Sequence, residues 1–549
     1  MRSLRSFAHR VYKGLFRDEV EATLFITAFV AEISAGLYLL SKFGTTYNMG
    51  GDTLAHLYIP RAVIDNGENS GFAQLGTVWL PLYHILLIPL VAVDWLYTTG
   101  MAGTILNALL TACISCLVYR FVREFGGSRW QGVFASLLFV LTPFSLMVVG
   151  CSAWMMPLGV FFALLSTYYF KQYLEGDDMK AFMKCAASVI AGTLSRYEVW
   201  PVAILIAVIF ALRELVKRRF HRMVYVNFLF WGIAYWLFYN LAIFRDPLIW
   251  IHGPFPGAYG YYSDVMKGIV VPPISRLPAI ASLSAQLLTT IMGYVWVLLP
   301  LALVVLLLRR DWNALIVLVL LNVHLANALS VEVGGLRPYN LLPGAIIAAL
   351  SLLRPLAQRG NPRNGLFKAF AVALCPAMLA LWAVALPVMW GYAVPERYYP
   401  PSYYQLREDT RALYDVVKEG LARGDYVLAS GAGSASPSRL LSLFCGVSPS
   451  KIIDEYDGKL FANASKEPWR YCGYVVVDKM NAEAMKDFLE AQNKYYGAHF
   501  LSLYYLNASW REEFLKHYEP VLETSSFIFY KLVSDQRNIG GSRSDSSVS

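Results

Sequence analysis

The chain has 549 residues, 57% of them hydrophobic and 15% charged, with a mean hydropathy of +0.45. A globular domain in water carries about 25% charged residues, so this composition excludes a soluble enzyme, a disordered chain and a disulfide scaffold, and it requires lipid as the main solvent. The formal charge of +9, from 47 Lys and Arg against 38 Asp and Glu, is the usual excess of cytoplasmic loops in a membrane protein and does not point to nucleic acid.

Apolar runs long enough to cross a bilayer as helices lie near 22–40, 79–97, 101–119, 130–148, 157–173, 182–196, 199–213, 223–243, 286–308, 313–329, 340–357 and 366–390. The first follows Arg2, Arg5, Arg10, Lys13 and Arg17 and has no small-residue cleavage site after it, so it reads as an uncleaved anchor with residues 1–21 in the cytoplasm. The run at 79–97 contains Pro81, His84, Pro89 and Asp94, which suit an interfacial or re-entrant segment. If it does not span, 22 Lys and Arg fall on the inner side against seven on the other, and the positive-inside rule selects eleven spans. The expected architecture is a multi-pass α-helical membrane module over 22–394, with a long first outer loop at 41–100. An extracytoplasmic α/β domain follows over 395–535, and a Ser- and Gly-rich disordered tail over 536–549.

The C-terminal domain is predicted from a helix Leu406–Ala422, strands at Tyr426–Ser430, Lys451–Tyr456 and Tyr474–Asp478, and a helix over Ala482–Tyr495. Gly431-Ala432-Gly433 after the first strand is either a phosphate cradle or, more plainly, a tight turn. Of the seven cysteines, Cys113 and Cys116 are spaced Cys-x-x-Cys, but they lie inside the apolar run at 101–119 and no His-spaced cluster accompanies them, which argues against zinc; Cys445 and Cys472 share this domain and are either a pair or two buried thiols. The sequons Asn463-Ala464-Ser465 and Asn507-Ala508-Ser509 also fall here.

Ionisable residues concentrate in the outer loops. In the first, Asp52 and His56 stand four apart and share a face if a helix Thr53–Ala62 begins after Asp52; the helix end keeps the carboxylate ionised, as a general base requires. The same carboxylate would serve equally as a cap. Arg61 lies one turn on, and Trp79, Tyr83 and His84 follow. Arg196-Tyr197-Glu198 sits between two apolar runs, where a charged pair is either functional or an internal ion pair that fixes a turn. Glu332-Val-Gly-Gly-Leu-Arg337-Pro-Tyr339 puts a guanidinium at a helix start, a phosphate-binding combination, or else a snorkelling arginine. A fourth loop, from Arg245 to Lys267, mixes aromatic and polar residues.

The uncleaved first span, the acidic residue at the start of a first-loop helix, the Trp-Leu-Pro-Leu-Tyr-His segment, Arg196-Tyr197-Glu198, Arg337 with its downstream Leu-Leu-Pro and the C-terminal α/β domain together resemble the GT-C superfamily. These are integral-membrane glycosyltransferases that use polyprenyl-phosphate-linked sugars, and the likeness is nearest the protein O-mannosyltransferase and aminoarabinose-transferase branch. The resemblance implies that Asp52 deprotonates an acceptor hydroxyl, that Arg337 binds the donor phosphate with help from Arg196, and that no cofactor or divalent metal is required. His56, Arg61, Trp79, Tyr83, His84, Tyr197, Glu198, Glu332 and Tyr339 would line the substrate site. The implied partners are membrane lipids, a polyprenyl-phosphate sugar, and a glycan, lipid or protein acceptor. Thr53 follows Asp52 where several branches carry a second acid, the loop has no Asp-x-Asp, and the C-terminal domain lacks Trp-Trp-Asp-Tyr-Gly, which disfavours en bloc transfer to asparagine. The competing class is a lipid transporter or flippase, against which stand the absence of an internal repeat and the one-sided clustering of charge. A non-catalytic receptor would leave that clustering unexplained.

Overall fold

The computed structural model describes residues 16–47, 52–252, 285–322 apart from 287, 338–352, 365–431, 436–480 and 497–533, with isolated positions between 483 and 494. Glu332, Arg337, most of the fourth loop, the glycine loop at 432–435 and the tail lie outside these residues. Tyr339 lies in the helix Pro338–Ser351, where only the backbone is described.

The described chain is mostly helical. Six helical runs are long and apolar enough to cross a membrane: Glu19–Phe43, Met101–Glu124, Tyr197–Val216, Phe220–Phe244, Leu288–Leu308 and the apolar part of Val372–Ala422. Other expected spans are shorter or broken. The run at 79–97 forms a ten-residue helix, Leu82–Val91, then a turn and the short helix Asp94–Thr99. Ten residues reach about 15 Å, half the hydrocarbon thickness, so this segment cannot cross as one helix. The expected helix at 130–148 stops at Val140; Pro143 cannot continue the hydrogen-bond ladder, and a π-turn, Ser145–Val149, follows.

Helix Met101–Glu124 is the most enclosed of the six and packs against Glu19–Phe43, Arg129–Val140 and Met156–Gly176. Small residues permit the close crossings. A Cβ at Gly103 would come within 2.6 Å of Ala153 Cα, and one at Gly36 within 2.4 Å of Thr104 Cγ2. Asn107, buried in the same helix, donates to the carbonyls of Val149 and Trp154 at 3.0 and 2.9 Å and also to that of Ser152. It thereby satisfies backbone groups that the broken helix leaves open. Its Oδ1 accepts from Tyr83 at 3.2 Å, which ties the segment 79–91 to the bundle.

The C-terminal domain begins with helix Pro401–Ala422 and contains a five-stranded sheet in the order β2-β1-β3-β5-β4. Strands β1 (Val427–Leu428), β2 (Ile452–Ile453) and β3 (Tyr474–Asp478) are parallel, as the alternation of strands and helices predicts. Strands β4 (Tyr518–Glu523) and β5 (Phe527–Leu532) form an antiparallel pair at the β3 edge. Sequence reading missed this hairpin, because β4 carries a proline and lies largely exposed, without a clean apolar alternation. Half of the predicted helix at 482–495 falls outside the described residues. Cys445 and Cys472 are free thiols. Asn507 is exposed and caps the helix Ala508–His517, whereas Ser465 of the other sequon is fully buried.

This domain does not hang from the membrane module by a linker alone; a polar seam joins it to the first loop. Tyr58 donates to Asp454 at 2.9 Å, and Asn66 and Asn69 donate to Asp457 at 3.0 and 2.6 Å. Ser448 donates to the Asp65 carboxylate at 2.7 Å, and Gln74 donates to the Tyr456 carbonyl at 3.2 Å.

The contact of Gly103 with the Ala153 backbone sets a test of the bundle. Gly103→Ala must push two backbones apart and is expected to destabilise the protein by about 1–3 kcal/mol. Thermal unfolding in detergent measures it.

Candidate active site

The first-loop helix runs Thr53–Ile64, one residue after Asp52, with the bounds that the spacing predicts at its start. Asp52 occupies the N-cap position, yet its side chain makes no cap hydrogen bond, so the carboxylate is not consumed by capping. The helix is buried on nearly every side, wedged between Leu82–Val91 and helix Pro437–Cys445 of the C-terminal domain.

One turn on from Asp52, His56 Nδ1 lies 3.0 Å from His84 Nε2, and both rings are buried. A facing nitrogen pair at that distance needs one proton, so one ring donates and the other accepts. Burial lowers both pKa values, His84 to about 3; for His56 the neighbouring His84, Arg196 and Arg439 add to the effect. The edge of the Trp79 ring packs on His56 at 5.1 Å between centroids, and Tyr83 stands at 5.8 Å.

The Arg196-Tyr197-Glu198 turn joins the same place. Arg196 Nε bonds Glu198 Oε2 at 3.0 Å and its Nη2 bonds Oε1, a bidentate internal pair. The arginine stem crosses Gly159 so closely that a Cβ there would lie 2.5 Å from Arg196 Cγ. Leu82 N donates to the Leu194 carbonyl at 3.0 Å and Tyr197 Oη to the Val78 carbonyl at 3.3 Å, so segments 78–84 and 194–198 form one unit. Trp236 Nε1 donates to Tyr197 Oη at 3.1 Å, and Trp250 stacks on the Tyr197 ring.

Arg61 is held otherwise. It pairs with Asp65 at 2.9 Å and Asp94 at 2.8 Å, donates to the Val91 carbonyl and lies over the Tyr97 ring. Such a guanidinium clamps the end of the first-loop helix to the end of Leu82–Val91. The structure thus gathers His56, Trp79, Tyr83, His84, Arg196, Tyr197 and Glu198 about the helix that Asp52 heads, and sets Arg61 apart as a clamp.

Two groups were not legible as site residues in the sequence. Arg439, in the first turn of Pro437–Cys445, is 2% exposed; its Nη2 reaches Tyr456 Oη at 3.3 Å and its charge bears on His56. At the carboxyl ends of the parallel strands lies an acidic cluster. Glu455 accepts from Ser430 at 2.8 Å and faces His499 Nε2 at 2.9 Å. Burial would raise Glu455, but hydrogen bonds from His499 and the Gly431 N–H hold it below the usual range. Burial, with Asp457 and Glu455 alongside, pushes Asp454 up to about 8, and burial does the same to Asp478. Among the described residues no group of three or more His, Cys, Asp or Glu is placed to hold a metal ion.

No family model matches this chain, and no curated protein matches it. Among solved structures the chain is similar to ArnT from Cupriavidus metallidurans bound to undecaprenyl phosphate, with 13% identity over 94% of this chain and 98% of that one, at a TM-score of 0.47. It is likewise similar to the apo state of the same protein, with 13% identity over 93% and 98%, at a TM-score of 0.46. Likeness at this level assigns neither activity nor ligand to this chain.

The shifted groups define a pH profile. Between 3.8 and 6.5 the unfolded chain binds protons at His56 and His84 that the folded protein excludes, while the folded protein keeps protons on Asp454 and Asp478 that the unfolded chain releases. These two effects oppose each other there. From 6.5 to about 8 the carboxyl protons carry the difference, so stability falls with rising pH, by up to about 1.4 kcal/mol per pH unit for each such proton. Asp454→Asn is expected to make that fall shallower, measured as melting temperature across pH 5 to 8.

Proposed function

We propose that this protein is an inverting glycosyltransferase that moves a sugar from a polyprenyl-phosphate donor to an acceptor hydroxyl at the extracytoplasmic face of a membrane. The observation that carries the reading is the meeting of three distant segments, 52–56, 79–84 and 196–198, around a helix whose first residue presents a carboxylate not used for capping. The resemblance of those same segments to GT-C motifs supports it independently of geometry.

In this mechanism Asp52 takes the proton of the acceptor hydroxyl. The oxygen attacks the anomeric carbon from the face opposite the leaving group, the bond from that carbon to the phosphate oxygen breaks, and its electron pair departs with the polyprenyl phosphate. Arg337 bears the developing negative charge. Arg196, oriented by Glu198, adds to the positive potential at His56 without donating its fork to the substrate. Two neutral imidazoles suit the centre of such a site, since they supply hydrogen-bonding edges without adding a charge that would compete for the phosphate. Holding donor and acceptor in one place supplies the proximity on which a reaction between a lipid and a second substrate depends.

The test is transfer by the purified protein from a panel of undecaprenyl- and dolichyl-phosphate sugars, with EDTA in one arm. Asp52→Asn is expected to lower transfer by roughly 10²–10⁴-fold while the melting temperature is unchanged. Equal rates for the two proteins would remove Asp52 as the base. If no donor is consumed by a wild-type protein that nevertheless carries polyprenyl phosphates across proteoliposomes, the transporter class replaces this reading.

A further inference from the structure

Helix Pro437–Cys445 of the C-terminal domain begins with an unfilled donor set. Ser436 has the extended backbone of a capping serine, yet its hydroxyl makes no cap hydrogen bond. Ser436 Oγ and Ser438 Oγ are both buried, in residues 2% and 0% exposed, and neither has a hydrogen-bond partner. A buried hydroxyl left in that state loses its water without gaining a partner, so two in one helical turn call for a ligand. Arg439, the next residue, places a buried guanidinium in the same turn. The helix end itself carries roughly half a positive charge.

Two hydroxyl donors, a guanidinium fork and a helix N-terminus are together the complement of a tetrahedral oxyanion. We propose that Ser436, Ser438 and Arg439 form a binding site for a phosphate group. Its position joins it to the candidate active site: the helix packs against Thr53–Ile64 and against Asp94–Thr99, where Tyr97 Oη meets Ser442 Oγ at 2.7 Å. The charges of Arg439 and Arg196 both bear on His56. A phosphate here would stand on the C-terminal domain's side of the junction, while Arg337 belongs to the membrane module. The site would therefore take a second phosphate, or share one, and the C-terminal domain would bind substrate as well as cover the cavity. The proposal rests on the glycosyltransferase reading for the phosphate's being carried by a lipid-linked substrate; the anion chemistry does not depend on it.

The experiment uses the full chain in nanodiscs of zwitterionic lipid and two probes, inorganic phosphate and undecaprenyl phosphate, at constant ionic strength. Melting temperature and 31P NMR titration are read for wild type, for the double variant Ser436→Ala with Ser438→Ala, and for Arg439→Gln. At least one probe is expected to raise the melting temperature of wild type. The double variant should bind that probe at least tenfold more weakly while melting without ligand as high as wild type or higher, since two unsatisfied hydroxyls are gone. A purely structural role for the serines would lower the ligand-free melting temperature and leave the phosphate response intact, which would overturn the proposal. So would equal responses of wild type and double variant to both probes, or none from wild type. Weakened binding of inorganic phosphate identifies a site for the free anion; an effect confined to undecaprenyl phosphate identifies a lipid headgroup site. Sugar transfer measured on the same samples separates the two readings: phosphate binding without transfer sinks the glycosyltransferase and keeps the site, and transfer with unaltered phosphate binding sinks the site alone.

Discussion

The structure turns on the buried polar seam between the first loop and the C-terminal domain. A first-loop helix with ten buried residues out of twelve is enclosed between Leu82–Val91 on one side and, on the other, helix Pro437–Cys445 of the C-terminal domain, which closes over it. Tyr58 to Asp454, the two asparagines to Asp457, and Ser448 to Asp65 fix the register of that closure. Each bond joins groups that would be costly to bury alone, so the seam is specific as well as cohesive: a small slip would orphan several of them at once. Everything said of the candidate site follows from this arrangement, because the helix that carries Asp52 and His56 and the helix that carries Arg439 face each other across it.

The electrostatics on the two sides of the seam are opposite. The C-terminal domain presents a carboxylate cluster at the ends of its parallel strands, and the raised Asp454 and Asp478 with the lowered Glu455 show how it is tolerated: some acids keep a proton, while one keeps its charge through His499 and the Gly431 amide. Toward the membrane module burial keeps both histidines neutral, and the charges of Arg196 and Arg439 add to it at His56. The carboxyls of the seam are committed to holding the domain in place.

The arginines divide their labour by how many of their donors the protein uses. Arg61 is clamped by two carboxylates, a carbonyl and an aromatic face, and stabilises the loop. Arg196 spends its fork on Glu198 but keeps its charge near His56. Arg439 is buried in the C-terminal domain, where its Nη2 reaches the Tyr456 hydroxyl and its charge bears on His56. Composition shows none of this, since a count of basic residues treats all three alike.

Much of the protein was legible in the sequence. Low charge density and long apolar runs require a membrane-embedded helical module, because backbone groups in lipid must be satisfied within the segment. Pro81, Pro89 and Asp94 mark 79–97 as a segment that does not cross, and it forms a ten-residue helix. The start of the first-loop helix and the three parallel strands also follow from local signals: a cap residue, alternation, and turn glycines. What the sequence could not supply were contacts between residues hundreds of positions apart. Burial of His56 against His84, the clamping of Arg61, and the approach of Ser436, Ser438 and Arg439 to the first loop all depend on which faces pack together. Side-chain identity sets which bonds a residue can make; only tertiary packing decides which of them water, lipid or protein will satisfy, and the functional difference between one arginine and another lies in that choice.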